Sequence, residues 1–171
     1  MVAGWLTDWI QYRDENRKLR QQVAELSWDE PFGMLTRPAF IQYCRGLQSK
    51  PRWVAFIDLN SIGSLNLLHG YTEVDRRIRS VFADFRKCRD ITARWYSGDE
   101  IVILFGGSRN PQAKMMDLVS RARQVGLEFI FETGVWDARL ESIESAINTL
   151  SGYASSQKYN LKDKREVSYE E

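Results

Sequence analysis

From Trp5 onward, Trp5, Trp9, Tyr12, Asn16, Leu19, Val23 and Leu26 step by four and three, the rhythm of a coiled-coil seam. Arg13, Asp14, Glu15, Arg17, Lys18 and Arg20 fill the rest of the surface, so this helix has a solvated charged face and needs a partner for its seam. About 22 residues at 1.5 Å each give a rod of roughly 33 Å. Asn16 falls with Trp9 and Val23 at one seam position, opposite Trp5, Tyr12, Leu19 and Leu26. A seam Asn favours a parallel two-stranded pairing, because the matching Asn satisfies it. The pattern predicts a dimerising helix over residues 1–28 and a homodimer. The competing reading is a single amphipathic helix lying on its own domain.

Pro31 and Gly33 break the heptads within Asp29-Glu30-Pro31-Phe32-Gly33-Met34, which reads as a hinge between rod and domain. The domain then covers 29–171. Downstream the pattern predicts helices at 37–48, 61–69, 73–87, 111–124 and 140–157. It predicts strands at 52–58, 91–96, 101–105 and 127–135. Val74, Ile78, Val81, Phe82 and Phe85 share one helix face, and Ser97-Gly98-Asp99-Glu100 reads as the turn of a hairpin. The tail from Asn160 is charged, with Glu166-Val167-Ser168 an optional edge strand. This order gives an α/β (α+β) domain, one mixed sheet with helices against it.

Composition narrows the function classes. Apolar residues make up 43% and charged residues 27%, so the chain is globular. With 24 Lys plus Arg against 23 Asp plus Glu, the net charge of +1 supplies no field for nucleic acid or an anionic membrane. The basic run Arg76, Arg77, Arg79, Arg86, Lys87 and Arg89 is diluted by Asp75, Asp84 and Asp90 and reads as a solvated helix face. Cys44 and Cys88 lack zinc-site spacing, and so few thiols point to a reducing, cytoplasmic setting. The apolar stretch from Trp5 to Ile10 is too short for a membrane span.

Asp58 ends an apolar strand and Asp99-Glu100 sits at the hairpin turn, so pairing those strands gathers three carboxylates at one sheet edge. Two unit charges about 4 Å apart repel by roughly 4 kcal/mol at an effective dielectric near 20, a cost that protonation or a cation must offset. Oxygen-only ligands point to Mg²⁺ and, through it, to phosphates. Taken singly, each acid is an ordinary strand-end or turn residue.

From about Asp29 to Tyr153 the chain resembles the GGDEF domain of diguanylate cyclases, whose fold is related to the palm of nucleotide cyclases and polymerases. Asp29, Gly33, Arg37 and Phe40 match the family's entry motif. Asp58-Leu59-Asn60-Ser61-Ile62-Gly63-Ser64-Leu65-Asn66 lies on its Asp-x-Asp-x-Phe-Lys-x-Ile-Asn, with Asp75 nine residues after Asn66, and Ser97-Gly98-Asp99-Glu100-Ile101 is the signature turn. The resemblance implies a palm-like mixed sheet flanked by helices and two GTP condensed into cyclic di-GMP across a homodimer. It also implies Mg²⁺ (or Mn²⁺) held by Asp58, the Leu59 carbonyl, Asp99 and Glu100, with Asp99 and Glu100 catalytic. Asn66 and Asp75 would read guanine, and backbone N–H groups from Leu59 through Asn60, Ser61 and Ile62 to Gly63 would cradle phosphate. A signalling protein partner is implied as well; nucleic acid and membrane are not.

Several positions depart from that pattern. Ser97 and Ile101 are tolerable stand-ins. Gly63, Ser156 and Asn160 fall where a Lys, a Lys and an Arg would touch phosphate; losing two charge-assisted contacts of about 1.5–3 kcal/mol each costs about 10²- to 10⁴-fold. Lys158, Lys162, Lys164 and Arg165 stand nearby as substitutes. Asn60 and Leu67 each replace an Asp, and Tyr71 and Val74 replace a His and a Gly around the guanine pocket. The chain contains no Arg-x-x-Asp, so the family's feedback site is not expected. The expectation is a cyclase of low turnover; the alternative is a degenerate domain that binds GTP or dimerises and signals.

Overall fold

A computed structural model describes residues 27–47, 50–87, 89–96, 98–107 and 110–167. The proposed seam from Trp5 to Leu26, and Ser97 of the signature turn, lie outside the described residues. The elements are β1 (Trp28–Asp29), β2 (Met34–Leu35), α1 (Arg37–Arg45), β3 (Arg52–Leu59), α2 (Ile62–His69) and α3 (Tyr71–Phe82). They continue with a 3₁₀ turn (Ala83–Lys87), β4 (Ile91–Arg94), β5 (Glu100–Leu104), α4 (Gln112–Gln124), β6 (Phe129–Trp136) and α5 (Ile143–Val167). Six strands form one sheet in the order β1-β2-β4-β5-β3-β6, antiparallel except where β2 meets β4.

The two-residue period of β3 and β5 sorts the core into two layers. Ala55, Ile57 and Leu59 of β3 and Ile101 and Ile103 of β5 pack with Val74, Ile78, Val81 and Phe82 of α3 and Met115 and Leu118 of α4. Val54, Phe56, Val102 and Leu104 point the other way, onto Phe40 and Cys44 of α1 and Ile143, Ala146, Ile147 and Leu150 of α5. A sheet covered on both faces explains why β3 reads as a continuous apolar run. The predicted stripe is buried, with Val74, Ile78, Val81 and Phe82 on α3 and Phe85 in the 3₁₀ turn to which the expected helix gives way after Phe82. Burial also pushes the Cys44 thiol up to about 12, with Glu144 adding to the rise, so this cysteine packs as an apolar group.

Two sequence expectations are corrected. Residues 29–34 are not a hinge: Trp28 and Asp29 pair with Leu35 and Met34 as a tight hairpin that joins the sheet. The Asp29 carboxylate accepts from the Phe32 N–H at 3.1 Å and from Arg94 Nη1 at 3.0 Å, and its carbonyl accepts from the Gly33 N–H at 2.7 Å. Glu166 and Val167 are not an edge strand, because α5 runs unbroken to Val167. Among the described residues no helix is long and apolar enough to cross a membrane.

Candidate functional site

The register of β3 on β5 places Asp58 directly across from Glu100. By strand parity both lie on the Val54–Phe56 side of the sheet, the side covered by α5. Leu59 N–H donates to the Asp99 carbonyl at 2.8 Å, Trp95 N–H to the Glu100 carbonyl at 2.8 Å, and Tyr96 N–H to Glu100 Oε2 at 3.2 Å, which ties the hairpin turn to the end of β3. Like charges directly opposite on neighbouring strands destabilise a sheet. Here a cation offsets them: Lys158 of α5 donates to both Asp58 oxygens, Oδ1 at 2.9 Å and Oδ2 at 3.0 Å.

The expected gathering of three acids is therefore realised as one cross-strand pair with Asp99 beside it. Among the described residues, no three His, Cys, Asp or Glu side chains stand close enough together to hold a metal ion. Asp58 and Glu100 supply hard oxygen donors suited to Mg²⁺ or Mn²⁺, and the charge they present is matched by an ammonium group.

The loop after β3 is arranged differently from the expected cradle. Two of its N–H groups are committed within the protein, Leu59 to Asp99 and Asn60 to the Glu128 carbonyl at 2.8 Å. Leu65 N–H is bonded back to the Ser61 carbonyl, so the groups of the helix start that lack intrahelical acceptors are those around Ile62 and Gly63. Ser61 adopts φ 57, the left-handed region, a strain of the kind that clusters at binding sites. A side chain on Gly63 would meet open space. Beside this loop a cleft of about 450 Å³ is lined by Asn60, Ser61, Leu65, Arg123 and Glu128, among others. Sequence reading passed over Arg123, which looks in isolation like one more surface cation of α4.

Asn66 lies on α2 and Asp75 on α3, two helices that pack against each other across Gly70, whose φ of 81 only glycine adopts without strain. Among the described residues Asn66 Oδ1 and Asn60 Oδ1 are buried with no hydrogen-bond partner. Partial burial raises the Asp75 carboxyl above its usual range; Arg94 pulls it back down and Asp29 pushes it up. Of the departures, Leu67 and Tyr71 are exposed at the α2–α3 corner. Val74 is 1% exposed, in the core layer with Ile78 and Val81. On α5, Ser156 Oγ turns back to the Gly152 carbonyl at 3.0 Å, and Lys158 is the cation that reaches the sheet edge. The arginines of α3 are engaged within the domain: Arg76 and Arg77 both bind Glu73, holding its carboxyl down at about 2, and Arg79 pairs with Glu30.

No family model and no curated protein matches the sequence. Solved structures do match the fold. The coiled coil and GGDEF domain of DgcB from Caulobacter crescentus, in complex with c-di-GMP, superposes with a TM-score of 0.64 at 16% identity, covering 95% of this chain and 94% of that one. A microbial GGDEF domain in an interaction with cyclic di-GMP gives 0.60 at 18% identity, covering 80% and 90%. Diguanylate cyclase SiaD in complex with its activator SiaC, from Pseudomonas aeruginosa, gives 0.57 at 20% identity, covering 88% and 65%. These superpositions show the fold: the chain folds as a GGDEF-like domain.

Proposed function

We propose that this domain is a guanine-nucleotide site of the diguanylate cyclase type, condensing two GTP into cyclic di-GMP across a homodimer joined by the N-terminal helix, with low turnover. The observation that carries the reading is the register that sets Asp58 opposite Glu100 with Asp99 tied to Leu59. Mg²⁺ or Mn²⁺, held by Asp58, the Leu59 carbonyl, Asp99 and Glu100, would neutralise the triphosphate and polarise its α-phosphorus. Ionised Asp75 accepts from guanine N1–H and its exocyclic amine, and Asn66 Oδ1 takes a further donor; adenine offers no matching N1–H. The N–H groups around Ile62 and Gly63, with Arg123 alongside, hold phosphate. Each 3′-hydroxyl attacks the α-phosphorus of the other nucleotide and releases pyrophosphate, so one protomer holds half of the reaction. DgcB and SiaD, described with c-di-GMP and with a protein activator, support a signalling role with a protein partner.

The Lys158–Asp58 pair favours a second reading, a module that binds GTP or dimerises without turnover, because an ammonium stands where the metal is needed. Calorimetric titration with GTP and ATP tests the pocket common to both readings. GTP is expected to bind more tightly, and Asp75→Asn to weaken it by about 10- to 100-fold, the loss of one charge-assisted pair. Equal affinity for the two nucleotides in the wild-type chain would refute the guanine assignment.

A further inference from the structure

Asp58 is about one-sixth exposed, faces Glu100 across the strand pair and lies on the α5 side of the sheet. Among the described residues the cation that the structure brings to it is Lys158, one hundred residues away in sequence, with Nζ at 2.9 and 3.0 Å from its two oxygens. A divalent metal at 2.0–2.1 Å from those oxygens requires the same space and repels the ammonium. The two cations therefore exclude each other. A lysine stem is flexible and 35% of this one is exposed, so the ammonium is free to swing away while α5 stays packed.

We infer that Lys158 is a tethered cation that competes with divalent metal for Asp58, so that metal loading requires the ammonium to swing off the carboxylate. This rests on reading Asp58 as a metal ligand. It assigns the low affinity expected of the site to a removable contact, in addition to the missing phosphate-binding residues.

The test is Mn²⁺ binding to the nucleotide-free full chain, followed by electron paramagnetic resonance, in wild type, Lys158→Met, Lys158→Arg and the Lys158→Met/Asp58→Asn double variant, with folding checked by circular dichroism. Lys158→Met is expected to bind Mn²⁺ about tenfold more tightly, the size of one charge-assisted contact. Lys158→Arg should stay near wild type, and the double variant should lose the gain. Unchanged or weaker Mn²⁺ binding by folded Lys158→Met overturns the competition, whether or not cyclic di-GMP is formed. A tenfold gain in a protein that still makes no cyclic di-GMP upholds the competition and refutes turnover instead.

Discussion

Glu100→Ala is expected to cut cyclic di-GMP formation by at least about 10²-fold, the scale on which removing one preorganised electrostatic group acts, while the fold is kept. Glu100 stands directly opposite Asp58, and its side chain accepts from the backbone N–H of Tyr96 at 3.2 Å. Removing it relieves a like-charge cross-strand pair, an effect of about 0.2–1 kcal/mol in the stabilising direction. Activity and stability should thus move in opposite directions, which a damaged fold does not produce. Asp99→Ala should show the same loss of product. A rate assay paired with a urea titration of each variant checks both halves. Product at the wild-type rate in Glu100→Ala would remove this residue from the site.

Phe56→Ala is expected to cost about 3–5 kcal/mol, a large share of the 5–15 kcal/mol that an ordinary domain has. Phe56 is 1% exposed and sits in β3 between β5 and β6, in the layer formed with α1 and α5. The same strand carries Asp58 two residues later on the same face, so loosening Phe56 should also loosen the Lys158 contact. Urea unfolding should show a lower midpoint at constant slope. A change under about 1 kcal/mol would contradict the assigned face of β3, and with it the placement of Asp58.

What the sequence made legible was periodic. Long helices and strands declared themselves because burial on one stripe or on two faces leaves a repeat, as in α3 and β3. The acidic positions were legible because carboxylates at the end of an apolar strand and at a hairpin turn become neighbours once the strands pair. The Trp28–Leu35 hairpin was not, because two-residue strands leave no period and Pro31 and Gly33 read as a break. The contacts that reshape the site are non-local. Asn60 gives its N–H to Glu128, Leu59 gives its own to Asp99, and Lys158 crosses from the last helix to β3. Lys158 stood in the sequence as one of several basic residues near the end of the chain, and only the packing of α5 on the sheet brings it to Asp58.

The most direct test of the account is the rate of product formation as a function of protein concentration, with GTP and Mg²⁺ in excess and cyclic di-GMP identified by mass spectrometry. Two half-sites that must meet predict a product of that mass and a rate per protein molecule that rises with concentration until the dimer is saturated. Saturable GTP binding with no cyclic di-GMP at any concentration, or a rate per molecule that is flat down to high dilution, would contradict it.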